Sequence, residues 1–227
     1  MKYKVIFFDA DETLFDFKKT EDFALNKLID AINMDNSKDL CISTYKEINK
    51  QIWEEFEKGL ISSDDLKVER FVRFSNEINY SCDPKTLSSM YVDFLGEGSF
   101  IYEETLELMS YLHNKYKISI ITNGLKDVQN KRIKNSSINS YFDDVVISDE
   151  IKIAKPNPYI FEHALKNLNH SDKSSVLMIG DSLTSDIQGG INAGIDTCWL
   201  NQNKSTNNTN IIPKYEIFNL LDLKNIL

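Results

Sequence analysis

Cysteine is scarce. Three in 227 residues, Cys41, Cys82 and Cys198, are too few and too widely spaced for a disulfide framework or a zinc site. They are expected to be reduced, buried thiols, with folding independent of disulfides. Long apolar runs are missing too, since no stretch approaches the roughly 18 residues needed to span a bilayer. The apolar run nearest the N-terminus, residues 5–8, meets acid at Asp9, which is unlike a signal peptide. A soluble, cytoplasmic protein without a membrane partner is expected. Positive charge is also in short supply, with 26 Lys and Arg against 35 Asp and Glu, a net charge of −9. That balance argues against a nucleic-acid polymer as partner. A small phosphorylated ligand stays open, because a local cation can override the overall field.

What is present suffices for a globular protein. Hydrophobic residues make up 41% and charged residues 27%, enough for one large domain or two small ones. Residues 5–8, VIFF, read as a buried strand. The block from about 18 to 97 reads as helical. Leu25, Leu28, Ile29 and Ile32 share one helical face, as do Tyr45, Ile48, Ile52 and Phe56. Gly59 can end that second helix. Ser62 with Asp65 resembles a capping box, and Asp83-Pro84 fits an N-cap followed by proline. From about 98 the pattern alternates. Helices are predicted near 103–115, 125–135, 158–168, 184–193 and 219–226, and strands at 118–121, 145–147, 176–179 and 197–200. The Asn-, Ser- and Thr-rich stretch 201–210 reads as a loop. Alternating strands and helices imply α/β architecture with a parallel, Rossmann-like sheet and helices on both faces. Ligands of such sheets bind beyond the carboxyl ends of the strands. The helical block enters at the carboxyl end of the first strand, where it would cover whatever binds.

Four strand ends carry polar residues. Asp9 and Asp11 follow the first, and on an extended backbone would share a face. They are either a solvated strand end or a pair that recruits a cation, for which carboxylate oxygens suit a hard ion such as Mg²⁺. Thr122-Asn123-Gly124 follows the second apolar run and is either a turn or a set of donors for a phosphate. Lys155 precedes Pro156, and Asn157-Pro158 can start a helix. The lysine is either solvated on a stiff loop or aimed at an anion. Asp181 follows the fourth run, with Asp186 in the first turn of the next helix. Asp186 alone could be a charge favourable to the helix dipole. Gly194 is a candidate C-cap.

Together these residues place acids, donors, a lysine and more acids at successive strand ends. The order Asp9-x-Asp11-x-Thr13, Thr122, Lys155-Pro156 and Gly180-Asp181 with Asp186 resembles the haloacid dehalogenase superfamily over essentially the whole chain. The helical insertion resembles the cap of its phosphatase branch. Residues 13–17, 122–124, 180–187 and 190–194, leading to 197–199, are similar to the bacterial pyrimidine 5′-nucleotidase group.

That resemblance implies a catalytic core of residues 1–17 and 98–227 and a helical cap of residues 18–97 that selects substrate. It implies Asp9 as nucleophile, forming an aspartyl-phosphate, and Asp11 as general acid and base. Mg²⁺ would be held by the Asp9 side chain, the Asp11 backbone carbonyl and Asp181, with Asp186 acting through water or orienting Asp181. Lys155 would neutralise charge, while Thr122, Asn123 and Gly124 would bind the phosphoryl group. Asp11 favours phosphatases over the superfamily's dehalogenases, which lack an aspartate there. The implied substrate is a small phosphorylated metabolite, a nucleoside monophosphate. A phosphosugar phosphatase or mutase remains an alternative, and a non-enzymatic phosphate-binding module a more distant one. Phe15 and Phe17 would either line the pocket or pack the junction between core and cap.

Overall fold

In the computed structural model of the chain, which describes residues 2–32 and 37–227, the first strand β1 (Val5–Phe8) is wholly buried. Alternation sends Ile6 and Phe8 to one face and Val5 and Phe7 to the other, and both faces are covered by packed side chains. A strand covered on both sides reads as an unbroken apolar run, which is why VIFF carries no polar residue.

Among the described residues four helices follow before the chain returns to the sheet: α1 (Phe17–Ile32), α2 (Lys38–Glu57), α3 (Ser63–Glu77) and α4 (Pro84–Glu97). Their apolar faces meet in one cluster, with Tyr45, Phe71, Phe74 and Tyr91 at its centre, and Leu125 and Val128 from the later half of the chain join it. Ser62 and Asp65 form the expected capping box. Asp83 accepts from the Thr86 N–H, with Pro84 opening α4. Such caps each contribute about 1 kcal/mol.

The alternating half follows as α5 (Thr105–Leu112), β2 (Lys117–Thr122), α6 (Lys126–Asn135), β3 (Asp144–Ile147), α7 (Ser148–Ile151), α8 (Pro158–Asn167), β4 (Val176–Gly180), α9 (Gln188–Ala193), β5 (Asp196–Leu200) and β6 (Tyr215–Ile217). Asn157 caps α8, and Gly194 ends α9 at φ 73°, both as the sequence predicts. The helix expected near 103–115 is shorter. The last one, near 219–226, is a 3-10 segment from Leu220 to Asn225, capped by Asn219. The edge strand β6 and the single-turn α7 were not predicted. Each is too short to show a hydrophobic period.

The six strands are parallel, in the order β3-β2-β1-β4-β5-β6. The chain reverses direction across the sheet at β1, which lies between β2 and β4. That is the switch point where α/β sheets open a crevice beyond their carboxyl ends. Phe8 is level with Ile120 on one side and Ile179 on the other, so Asp9 leaves β1 beside the last residues of β2 and β4.

At the opposite end of the sheet, Asp196 accepts from Lys2 (2.5 Å), Tyr3 (2.7 Å) and Lys214 (2.8 Å). Burial works against its charge, but these donors prevail and hold the carboxyl down at about 2. A carboxyl depressed in the folded state stabilises the fold above its unfolded value, near 4, and loses that contribution as pH falls toward 2. Asp196→Asn is therefore expected to lower the urea midpoint at pH 7, and the gap to the native chain should narrow by pH 3. An equal gap at both pH values would contradict this.

Candidate functional site

The backbone leaves β1 through a tight turn. The Asp9 N–H donates to the Ile179 carbonyl (2.9 Å), and Leu14 and Phe15 both donate back to the Ala10 carbonyl. Glu12 sits at φ 59°, in the left-handed region, and its carboxylate accepts from the Lys18 N–H and the Tyr102 hydroxyl. This turn faces Asp9 and Asp11 into the crevice and then delivers the chain to α1. The returning segment runs beside the outgoing one. Asp16 donates to the Phe100 carbonyl and Tyr102 to the Leu14 carbonyl.

Lys155 lies at the centre of the first group. It is buried, and its ammonium meets Asp9 Oδ1 at 2.5 Å, the Ile121 carbonyl at 2.6 Å and Asp186 Oδ1 at 2.7 Å. All three of its N–H bonds are thereby used, so the solvated-lysine alternative is set aside. Asp186 lies in a π-helical turn, Leu183–Ile187, with its Oδ2 accepting from the Ser182 N–H. Its carboxylate occupies the space a side chain at residue 180 would need, which explains Gly180. Asp181 is partly exposed beside it, and its carbonyl accepts from the Trp199 indole.

Burial works against the charge of Lys155, but Asp186 and Asp9 outweigh it and hold the ammonium above its ordinary value. Burial raises Asp9, against the pull of Lys155 and with the help of Asp186, Asp181 and Asp11. Burial and Asp186 push Asp181 up to about 7. Burial is the larger cause for both carboxyls, and an excess of like charge adds to it. Asp9, Asp181 and Asp186 bring carboxylate oxygens within 4.8 Å of one another, with one ammonium between them. An all-oxygen set with surplus negative charge fits a hard divalent cation.

Asp11 belongs to a different group, although it is two residues from Asp9. One of its oxygens accepts from Arg132 Nη1 (2.5 Å), the other from Gln129 Nε2 (2.5 Å). Gln129 also donates to Thr122 Oγ1 (3.1 Å) and accepts from Arg132 (3.2 Å). Arg132 is fully buried, and its Nε donates to the Gly98 carbonyl (3.0 Å) where α4 returns to the sheet. Its guanidinium lies over the rings of Phe15 and Phe17. Gly124 is needed here as well, because a side chain there would occupy the position of Gln129.

The remaining expected residues divide. Thr122 Oγ1 accepts from the Gly124 N–H and from Gln129, which leaves its own proton to donate. The Asn123 side chain donates to the Lys155 carbonyl (2.9 Å) and accepts from the Lys155 N–H (2.8 Å). Asn123 fixes the lysine loop and also borders the cavity that Asp9, Asp11 and Thr122 line. Of the two alternatives for Phe15 the structure takes junction packing: the ring is fully buried in the core, and its backbone pairs with Ile101. Phe17 lines the crevice.

A cavity of about 210 Å³ opens from Asp9, Asp11 and Thr122 toward the helical block, where Phe17, Trp53, Arg70 and Leu95 complete it. A second depression, of about 570 Å³, reaches Asp181 from the side of Glu12, Lys18 and Gln202. The smaller one is lined by both Asp9 and Asp11.

Gln129, Arg132, Arg70 and Trp53 were not foreseen. A signal exists for three of them. Leu125, Val128, Gln129, Arg132 and Ile133 follow helical spacing, so two polar residues occupy an apolar stripe. Arg70 likewise falls on the stripe of Leu66 and Phe74. Polar residues at core positions need partners, and in α6 that partner is Asp11.

Comparison with known proteins agrees with this geometry. Residues 3–194 match the haloacid dehalogenase-like hydrolase family. The chain is 35% identical to pyrimidine 5′-nucleotidase YjjG of Escherichia coli, over 100% of this chain and 99% of that one. It is also 35% identical to pyrimidine 5′-nucleotidase PynA of Streptococcus pneumoniae, over 100% and 98%. A crystal structure of YfnB from Bacillus subtilis, bound to magnesium and displaying interdomain movement, superposes with a TM-score of 0.92 at 35% identity, covering 100% of this chain and 99% of that one. Among the described residues no helix is long and apolar enough to cross a membrane. With four acids and a lysine gathered at the switch point of a parallel sheet, and a family match over most of its length, the chain belongs to the haloacid dehalogenase-like hydrolases.

Proposed function

We propose that the chain is a Mg²⁺-dependent phosphomonoesterase that works through an aspartyl-phosphate at Asp9, with nucleoside 5′-monophosphates, pyrimidine ones foremost, as substrates. One observation carries this reading: Asp9 and Asp11 leave the same strand end, yet are held by different partners. Asp9 is tied to Lys155, beside Asp181 and Asp186, whereas Asp11 is tied to Arg132 and Gln129. Two carboxylates in separate environments can take separate roles.

Lys155 holds Oδ1 of Asp9, which leaves Oδ2 to attack phosphorus. As the P–O bond to the leaving group breaks, the departing alkoxide takes a proton from Asp11. Asp11 then accepts a proton from water as that water attacks phosphorus, the Asp9–phosphorus ester bond breaks, and phosphate is released. Arg132 and Gln129 hold the Asp11 carboxyl in place at the mouth of the cavity through both steps. Thr122 offers its hydroxyl proton to a phosphoryl oxygen. Asp9, Asp181 and Asp186, with the Asp11 backbone carbonyl, would hold Mg²⁺, which supplies positive charge to offset the anionic phosphoryl group. The block of residues 18–97 acts as a cap, with its α1–α4 cluster closing over the crevice and excluding water. The nucleotide preference is supported by the names of two relatives, YjjG and PynA.

Phosphate release from a panel of nucleotides and sugar phosphates, with and without Mg²⁺, tests the reading. Turnover of pyrimidine nucleotides that stops on chelation supports it. Isomerisation of a sugar phosphate without phosphate release would make the chain a mutase instead. The cation site has its own readout. Excess Mg²⁺ is expected to raise the melting temperature, because it binds the folded chain alone, and Asp181→Asn should remove most of the rise. A melting temperature that Mg²⁺ leaves unmoved would contradict the assignment.

A further inference from the structure

Arg70 lies in the middle of α3 and is only 2% exposed. Its Nε and Nη2 make no well-formed hydrogen bond, although the Tyr45 hydroxyl lies close enough to interact with the guanidinium. Its Nη1 makes a single long bond, 3.4 Å, to Asn49 Oδ1. No carboxylate among the described residues forms an ion pair with it. Glu21, the acid that acts on its surroundings, accepts instead from Asn49 (2.9 Å). The guanidinium rests on the faces of Tyr91 and Phe71, at 4.9 and 5.5 Å. Burying a charge with so little compensation is costly, and most buried guanidinium groups are fully bonded. Arg132 in the same protein is better compensated, with Asp11, Gln129 and Gly98 as acceptors, and only its Nη2 lacks a partner.

Arg70 also lines the 210 Å³ cavity whose other end is Asp9, Asp11 and Thr122. A guanidinium can only donate, so whatever completes it must bring an acceptor. The rest of that wall is aromatic and aliphatic: Phe17, Trp53, Leu95, Leu125 and Val128. The cavity is smaller than the roughly 300–1,000 Å³ common for drug-sized ligands, which favours a single ring over two fused ones.

We propose that this cavity is the leaving-group subsite and that Arg70 is its specificity-determining residue, donating to a carbonyl oxygen on a flat ring packed against Phe17 and Trp53. This rests on the reading of Asp9 and Asp11 as the phosphoryl-transfer pair. Every pyrimidine base carries such a carbonyl, whereas adenine carries none. A phosphorylated sugar acid would satisfy the guanidinium with its carboxylate, but its hydroxyls would face apolar side chains unpaired, and such mismatches are strongly rejected.

The test compares kcat/KM for deoxyuridine monophosphate, deoxyadenosine monophosphate and phenyl phosphate, a flat ester with no acceptor on its ring. The native chain is expected to prefer the uridine nucleotide. Arg70→Met should lower kcat/KM for it relative to phenyl phosphate by about 10- to 100-fold, the worth of a charged hydrogen bond, mainly through KM. Arg70→Gln keeps an N–H donor and should fall between. It also carries the test if the methionine variant does not fold. Parallel losses on all three esters would make Arg70 structural and overturn the proposal. A native chain that favours a sugar-acid phosphate over every nucleotide would overturn the ring assignment, with phosphatase chemistry intact. A native chain that releases phosphate from no ester would remove the underlying reading, and the proposal with it.

Discussion

Asp9→Asn should abolish phosphate release, by at least about a thousandfold, since removing a nucleophile elsewhere has cost up to about a millionfold. The amide is isosteric with the carboxylate but cannot attack phosphorus. The fold should survive. Asn retains an oxygen for the Lys155 ammonium at the position of Oδ1, and Lys155 keeps Asp186 and the Ile121 carbonyl. One buried negative charge is removed from a cluster that has too many, so the metal-free variant should melt no lower than the native chain. Circular dichroism and thermal melting with and without Mg²⁺ separate lost chemistry from lost structure. Phosphate release within tenfold of native would exclude Asp9 as the attacking group.

Asp11→Asn should cost about 10²- to 10⁴-fold on a nucleotide, the range for a general acid or base. The loss should depend on the leaving group. A sugar alkoxide is a poor leaving group and needs its proton. A p-nitrophenolate does not, so p-nitrophenyl phosphate should form the aspartyl-phosphate readily even in the variant. The second half of the reaction still lacks its base, and the phosphorylated enzyme should accumulate. Rapid-quench kinetics would show a burst of nitrophenol followed by slow turnover. Equal losses on both esters, without a burst, would assign Asp11 a structural role beside Arg132 and Gln129.

The chemistry at the ends of β1, β2 and β4 was legible because the switch from apolar to polar is abrupt there. Asp9 follows four buried residues, Thr122 follows Ile121, and Asp181 follows Gly180, all within one residue of the same level across the sheet. The caps at Ser62, Asp83, Asn157 and Gly194 were legible for a local reason. Each is a bond between residues two to four apart. The environment of Asp11 was not, because Arg132 reaches it across 121 residues and Gln129 across 118. Only the packing of α4 on α6 turns those polar side chains inward. The same limit applies to Arg70, whose burial depends on the joint packing of α2, α3 and α4. Lys155 was legible as a cation but not as a buried one, since Asp9 and Asp186 are distant in sequence. Asn123 has a second task that its neighbours in sequence do not show. Its amide, next to Thr122, suggested a phosphate ligand, and it is also bonded to the Lys155 backbone. Phe15 and Phe17 look alike in sequence, but Phe15 is pinned by pairing with Ile101 and turned into the core, whereas Phe17, at the first position of α1, faces the cavity.

The division of labour between two aspartates at one strand end is most directly tested by trapping the intermediate. Asp11→Asn would be mixed with p-nitrophenyl phosphate labelled on phosphorus, in the presence of Mg²⁺, then quenched in acid and digested for peptide mapping. The account predicts label on the peptide that carries Asp9, in near-stoichiometric amount, and none when Asp9→Asn is added to the same chain. Label on any other residue, or steady phosphate release with no labelled peptide, would contradict it.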